Sequence, residues 1–456
     1  MLRPIRPTRR RKVLEHPLVP PRRALDEATN NEIRSQFRDC AQRLGGEVSA
    51  RIRAARLGET YLALDENGRH EFLRILALEF GPDPKEVEIA HTVYQSMVGT
   101  HLQWDAEAAL RTVMRSNRVR ILTQFNALPQ GVKFLVDMRA DLLRYVEEDA
   151  GLAALDREME SRLSAWFDVG FLELHRITWD SPAALLEKLI QYEAVHAISS
   201  WNDLRHRLDS DRRCYAFFHP RMPREPLIFV EVALTQDLSG SVQQLLDEHR
   251  RVSDAKKATT AIFYSISNTQ PGLRGVHFGN FLLKRVADDL RSEFPRLKTF
   301  STLSPIPQLS KWIEDNPGEI NAAINQGLSR KLAIATGEAG VSVPEYLALG
   351  QWTSNENIRK LLRAPLTRMT ARYLCQAKEQ NRPFDPVARF HLGNGARVER
   401  LNWLGDVSER GMRQSYGFMV NYLYALDDIE RNVEVFARGG VVSASSQVTK
   451  LLNGAK

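Results

Sequence analysis

Between residues 26 and 168, apolar side chains recur every three or four positions among many charges, the period of a helix with one buried face. Leu25–Leu57 follows this pattern, and Phe72, Leu73, Ile75, Leu76 and Leu78 fall on one helix face and its flank. The turn Asp65-Glu-Asn-Gly68 and the breaker Gly81-Pro-Asp-Pro84 punctuate the run and give new helices a place to start. Segments near 104–115, 130–148 and 153–169 continue it without a strand signal. A helical bundle is therefore predicted over 26–170. A bundle with no buried titratable cluster serves as scaffold or interface.

The pattern changes after residue 170. Pro182–Val195 is helical. Cys214-Tyr-Ala-Phe-Phe218 and Leu227-Ile-Phe-Val-Glu-Val-Ala-Leu234 are strand-like, with a proline-rich turn at Pro220–Pro226 between them. A strand over Thr259–Ser267, a helix over 277–294 and a strand over 298–304 follow. Residues 308–378 return to helix, and Val398–Trp403 and Gly417–Leu426 add two late strands. The predicted order is β-β-β-α-β, a helical insert, then β-β. The Gly/Ser/Val-rich stretch 439–449 reads as a loose end. This gives an α+β chain with a basic arm over 1–25, a helical domain over 26–170, a mixed α/β domain over 171–438 and a flexible tail over 439–456.

Composition narrows the function. A chain of 456 residues exceeds one core. No run of about 18 apolar residues occurs, so no membrane span is expected. Cys40, Cys214 and Cys375 are scattered, which indicates neither a zinc site nor a disulfide framework. The net charge of +7 comes from the first residues, where Arg3, Arg6, Arg9, Arg10, Arg11, Lys12, Arg22 and Arg23 face Glu15 alone. The rest is formally neutral, so a nucleic-acid-binding body is not expected. The basic arm reads as disordered, with an organellar targeting segment as the alternative.

The turn Gln270-Pro-Gly-Leu-Arg-Gly-Val-His-Phe-Gly-Asn280 joins the 259–267 strand to the next helix. A glycine turn at a helix start presents free N–H groups to a phosphate. No Gly-Lys-Ser/Thr follows, and the glycine spacing is not that of a dinucleotide site. The turn resembles the pyrophosphate loop of GNAT-type acyltransferases, here Arg274-Gly-Val-His-Phe-Gly279 followed by Leu282-Leu283. In that fold, the strands before the loop and after the next helix part, and pantetheine lies between them. The resemblance places Pro271, Gly272, Leu273, Arg274, Gly275, Val276, His277, Phe278, Gly279 and Asn280 at acyl-coenzyme A.

Further motifs carry a closer resemblance. They are Phe300-Ser-Thr-Leu-Ser-Pro-Ile-Pro-Gln-Leu-Ser-Lys-Trp312, Ala388-Arg-Phe-His-Leu-Gly-Asn-Gly-Ala396, Phe263-Tyr-Ser-Ile-Ser267, Asn402-Trp-Leu-Gly-Asp-Val-Ser408, Phe171-Leu-Glu-Leu-His-Arg-Ile-Thr-Trp179 and Glu193-Ala-Val-His196. In this order they resemble the malonyl-CoA decarboxylase family through most of 170–430. The resemblance implies a helical N-terminal domain and a GNAT-like mixed α/β catalytic domain with a helical insert. It implies malonyl-CoA as substrate, acetyl-CoA and carbon dioxide as products, and no metal, biotin or other cofactor. It implies a homo-oligomer, dimer or tetramer, through the helical domain, and neither nucleic acid nor a membrane as partner. The family's catalytic serine falls on Ser304 and its catalytic histidine on His391. His277 stands where the family loop often carries an acid. The end Leu452-Asn-Gly-Ala-Lys456 lacks the Ser-Lys-Leu of peroxisomal members, and a bacterial cytoplasmic form is expected.

The residue types suit that chemistry. Loss of carbon dioxide from a β-carboxy thioester leaves an enolate that the thioester carbonyl delocalises. His391 is the natural proton donor, and Ser304 holds the carboxylate or relays a proton. Strand alternation sets Thr302 on the face of Ser304 and Ser301 on the other. Asn394 and Tyr424 are supporting candidates, while Trp312 and Trp403 are expected in the core. Two other readings keep the loop: a GNAT-type N-acyltransferase and a non-catalytic acyl-CoA-binding protein.

Overall fold

The computed structural model describes residues 26–42, 46–276, 281–319, 326–336 and 350–453, with positions 324 and 347. The basic arm and His277, Phe278, Gly279 and Asn280 lie outside the described residues. The chain forms two units. One holds residues 26–173 with Phe218–Leu227 and 269–276; the other holds 174–217, Ile228–Asn268 and the described residues from 281 onward.

The first unit is helical: Glu27–Gln42, Gly46–Ala63, Glu66–Glu79, Pro84–Met97, Gln103–Val113, Asn117–Asn126, Gly131–Tyr145 and Ala153–Trp166. The expected turn at Asp65 is a helix start: Asp65 accepts the Gly68 N–H, and Asp83 does the same for Lys85 with Pro84 just inside its helix. An acceptor at the cap and a proline in the first turn satisfy or remove donors that a helix start leaves unpaired. Ile33, Phe37, Leu57, Phe72, Leu76, Phe125, Leu135, Leu142 and Leu155 share one buried core.

The second unit is built on a sheet. Its strands are β1 (Glu173–Ile177), β2 (Arg212–Phe218), β3 (Pro226–Thr235), β4 (Thr260–Asn268), β5 (Thr299–Thr302), β6 (Ser304–Pro305), β9 (Arg397–Asn402) and β10 (Met419–Leu423); β7 (Lys378–Glu379) and β8 (Arg382–Pro383) form a separate small ladder. The order is β1-β2-β3-β4-β5-β10-β6, with β9 also on β10. β1 is a strand that the apolar pattern did not indicate: four of its five residues are not buried. By contrast β3 is buried on both faces, as a central strand should be.

β4 and β5 run parallel, from Thr260 opposite Thr299 to Phe263 opposite Thr302. A parallel pair needs a crossover, supplied by helix Phe281–Glu293, whose Leu282, Leu283, Val286, Ala287 and Leu290 are buried. The ladder closes with the Leu303 N–H on the Phe263 carbonyl at 3.0 Å. Past that point the chain turns into β6, which pairs with β10, while β4 runs on to Asn268. The two strands part where the GNAT resemblance implies.

One expectation changes. The tail is not a loose end: Ser446–Asn453 is a helix with Val448 fully buried, and Ala444 bridges Val398. Ser445 Oγ donates to the Glu399 carbonyl at 2.7 Å, and it accepts the Val448 N–H at 3.3 Å. Composition alone carried no sign of this anchoring.

Candidate active site

Ser304 and His391 meet although 87 residues separate them. Ser304 opens β6, opposite Val420 of β10. His391 lies in helix Pro386–Gly393. Asp385, fully buried, starts that helix: its Oδ1 accepts the Ala388 N–H at 2.8 Å, and its Oδ2 accepts the Tyr373 hydroxyl at 3.2 Å. Burial pushes the Asp385 carboxyl up to about 6 against those donors. Gly395 ends the motif at φ +81°, and a Cβ there would meet the Ile429 carbonyl oxygen at 2.6 Å. Only glycine lets the chain leave the helix so sharply and enter β9.

A chain of hydrogen bonds runs through the pair. The Ser304 hydroxyl donates to Thr302 Oγ1 at 2.8 Å. His391 Nε2 is 3.1 Å from Ser304 Oγ, and Nδ1 is 2.8 Å from the Tyr424 hydroxyl. With the serine proton on Thr302, the consistent assignment is a neutral ring: Nε2–H donates to Ser304, and Tyr424 donates to Nδ1. The Tyr422 ring stacks on the imidazole at 4.6 Å. His391, Ser304, Thr302, Tyr422 and Tyr424 are all buried.

Burial alone pushes the His391 imidazole down to about 3. Burial also holds the Tyr424 and Tyr422 phenols protonated. The arrangement has consequences for chemistry. A serine nucleophile needs its histidine to become a cation, which a carboxylate partner stabilises. Here the position of that carboxylate is taken by a phenol. The site is therefore suited to passing or sharing a proton along Tyr424, His391 and Ser304, and poorly suited to forming an acyl-serine.

Of the residues singled out from sequence, Thr302, Ser304, His391 and Tyr424 are brought together. Ser301 points elsewhere and donates to the Tyr422 carbonyl at 3.0 Å. Asn394 closes the histidine helix through its backbone N–H, and its side chain makes no hydrogen bond to the pair among the described residues. Trp403 stacks on Trp352 at 5.6 Å, and Trp312 packs on Tyr373 at 5.3 Å. Tyr422 was missed. It lies on β10 two positions before Tyr424, which directly follows the strand in extended continuation, so period-two alternation was the available signal.

Pro271–Val276 belong to the helical unit. A Cβ at Gly272 would meet the Val136 carbonyl oxygen at 1.8 Å. That glycine is demanded by the close approach of helix Gly131–Tyr145. Arg274 is exposed, and its guanidinium has no carboxylate partner among the described residues.

Comparison with known proteins is consistent across methods. Residues 170–456 match the family model described as the malonyl-CoA decarboxylase C-terminal domain, and residues 80–167 match the corresponding N-terminal domain. A curated mitochondrial malonyl-CoA decarboxylase of Anser anser anser is 37% identical over 424 residues, covering 89% of this chain and 84% of its own length. The crystal structure of malonyl-CoA decarboxylase from Rhodopseudomonas palustris is similar with a TM-score of 0.83 at 42% identity, covering 92% of this chain and 99% of that one. That from Agrobacterium vitis gives 0.81 at 40% identity, with the same coverage of 92% and 99%.

Proposed function

Because this chain belongs to the malonyl-CoA decarboxylase family, we propose that it converts malonyl-CoA to acetyl-CoA and carbon dioxide, with His391 and Ser304 as the acting pair. The observation that carries the residue assignment is the buried, neutral imidazole hydrogen-bonded at one nitrogen to Ser304 and at the other to Tyr424. In the reaction, the bond from the α-carbon to the carboxylate breaks, and its electron pair passes into the thioester as an enolate. Carbon dioxide leaves, and one proton is added to the α-carbon. Ser304 Oγ holds the malonyl carboxylate and then relays the proton that His391 Nε2 gives up. Tyr424 returns a proton to Nδ1, and solvent restores the chain.

A neutral imidazole suffices, because a thioester enolate is a far stronger base than a carboxylate or an amine. A neutral histidine is also the working form at a known enolate-forming site, where it polarises the carbonyl. The thioester carbonyl is the electron sink, so the reading needs no metal or prosthetic group. The parting of β4 and β5 supports pantetheine between them, and the exposed Arg274 supports a phosphate contact at the loop.

The test is incubation of purified protein with malonyl-CoA alone, with chelator and avidin present. Stoichiometric acetyl-CoA is expected. Turnover that appears only when an amine acceptor is added would replace this reading with the acyltransferase one.

We also propose a cytoplasmic, homo-oligomeric form assembled through the helical domain. No described helix is long and apolar enough to cross a membrane. Helix Pro84–Met97 buries no residue, and Ile89 (66% exposed) and Trp104 (71%) stand out from it and its neighbour Gln103–Val113. A helix pair that leaves such side chains in water is a candidate interface. The double variant Ile89→Glu/Trp104→Glu is expected to sediment as a smaller species than the parent protein, with its far-ultraviolet circular dichroism unchanged. An unaltered assembly would remove the hairpin from the interface.

A further inference from the structure

Arg139 is a buried side chain of the helical unit with four hydrogen bonds, two of them to the loop. It is 1% exposed. Its Nη1 donates to two loop carbonyls, Gly272 at 2.9 Å and Arg274 at 2.6 Å. Its Nε donates to Asp156 Oδ1 at 2.9 Å, and its Nη2 donates to Glu160 Oε2 at 3.3 Å. The two carboxylates, one turn apart on helix Ala153–Trp166, fix the plane of the guanidinium. That plane in turn fixes the turn Pro271–Leu273 and the carbonyl after it.

The other end of the segment is tied as well. The Thr269 N–H donates to the Leu227 carbonyl at 3.0 Å, and Gln270 Nε2 donates to the Pro226 carbonyl at 3.0 Å. Gly272 and Leu273 are buried between these anchors, while Arg274 faces solvent. The result is an exposed cation on a backbone held from both sides. Holding a loop in its binding shape before the ligand arrives removes an ordering cost from association.

We propose that Arg139 is a positioning residue for acyl-coenzyme A binding, so that the helical domain, through this one guanidinium, sets the affinity for the substrate's phosphate-bearing half. The inference rests on the reading of Pro271–Val276 as part of the coenzyme A loop. It goes further by assigning that loop's shape to a residue far from any reacting atom. A lysine in the same place carries the charge, but a single ammonium cannot span two carbonyls and two carboxylates in one plane.

The experiment compares Arg139→Lys and Arg274→Ala with the parent protein by steady-state kinetics on malonyl-CoA and by direct binding of coenzyme A. Arg139→Lys is expected to raise KM and the coenzyme A Kd by roughly ten- to a hundredfold, as misplacement by a remote change can. Its kcat should stay within about twofold, the signature of lost binding and not of lost transition-state stabilisation. Because Arg139→Lys disturbs packing, Glu160→Gln serves as the second variant. It takes the charge from a half-exposed carboxylate and weakens its 3.3 Å contact to Arg139, which an amide oxygen can still accept, and it should raise KM in the same direction by a smaller factor.

Four results decide the matter. Weaker binding in Arg274→Ala and in both clamp variants supports the proposal. Weaker binding in Arg274→Ala alone overturns it and leaves the loop reading standing. Unchanged binding in Arg274→Ala removes the loop from the coenzyme A site, and the proposal falls with it. A fall in kcat with KM unchanged for Arg139→Lys also overturns it.

Discussion

Replacing His391 with Asn is expected to lower kcat for malonyl-CoA decarboxylation by about 10²–10⁴-fold, the usual worth of a placed proton donor, while coenzyme A still binds. The amide is near the ring in size but cannot pass a proton from one side to the other. It therefore breaks the line from Tyr424 to Ser304. Ser304→Ala should cost a similar factor, because it removes both the relay oxygen and the partner of Nε2. The double variant should be little worse than either single one, since groups that act as a unit lose their function together. Tyr424→Phe should lose less, because Nδ1 loses a donor while Nε2 keeps its proton. The check is kcat and KM on malonyl-CoA with coenzyme A binding measured alongside. Full rates in His391→Asn would end the assignment of this pair.

The same residue fixes a pH expectation. Burial holds the His391 imidazole down at about 3 in the folded protein, below its ordinary value near 6.5. For a base with a depressed value, the stabilising contribution is present above the unfolded value. It is lost as pH falls from about 6.5 towards 3. Between pH 5 and 8 the ring stays neutral, so no loss of rate on the acid side of neutrality should trace to its protonation. A kcat that halves near pH 6.5 and becomes flat in His391→Asn would contradict the neutral-donor reading.

How far the sequence carried can be seen in particular residues. The serine and histidine were legible because their motifs are local, even though the contact between them is not. The 298–304 strand was legible too, but its break at Leu303 was not: the chain leaves β4 there while staying on β10, a pairing set by residues more than 100 positions later. β2 begins two residues earlier than its apolar run, because Arg212 and Arg213 are buried by distant partners, Leu245 and Glu293. The loop glycines were readable only as permission for a close approach. What approaches Gly272 is a helix whose contact lies 133 residues away in sequence, and no spacing rule reports that.

Replacing Arg207 with Ala is expected to destabilise the sheet unit by about 3–5 kcal/mol, the penalty for stranding buried charge. Arg207 is 1% exposed and fully engaged. Its Nε donates to Asp203 Oδ1 at 2.8 Å, and its Nη1 donates to Glu231 Oε2 at 3.1 Å and to the His196 carbonyl at 2.9 Å. Glu231 sits on β3 with no exposure, and burial outweighs Arg207 to push its carboxyl up to about 8. A carboxyl raised in the folded state contributes stability below its unfolded value and loses it as pH rises through about 8. Without Arg207 that loss deepens, because nothing then opposes the burial. Urea unfolding should therefore show a larger deficit for Arg207→Ala at pH 8 than at pH 5.5. Adding Glu231→Gln should recover part of the deficit at pH 8, since a neutral amide needs no cation. An Arg207→Ala protein within about 1 kcal/mol of the parent at pH 8 would show that the charges relax into water on losing their partner. The expected outcome ties this ion group to the register of β3 on β4, where Glu231 lies opposite Ser265 on the part of β4 that runs past β5 with β3 still beside it. A fold that keeps two acids and an arginine dry at that point does so at a cost in stability, and the return is a strand held in one place where the substrate arm would lie.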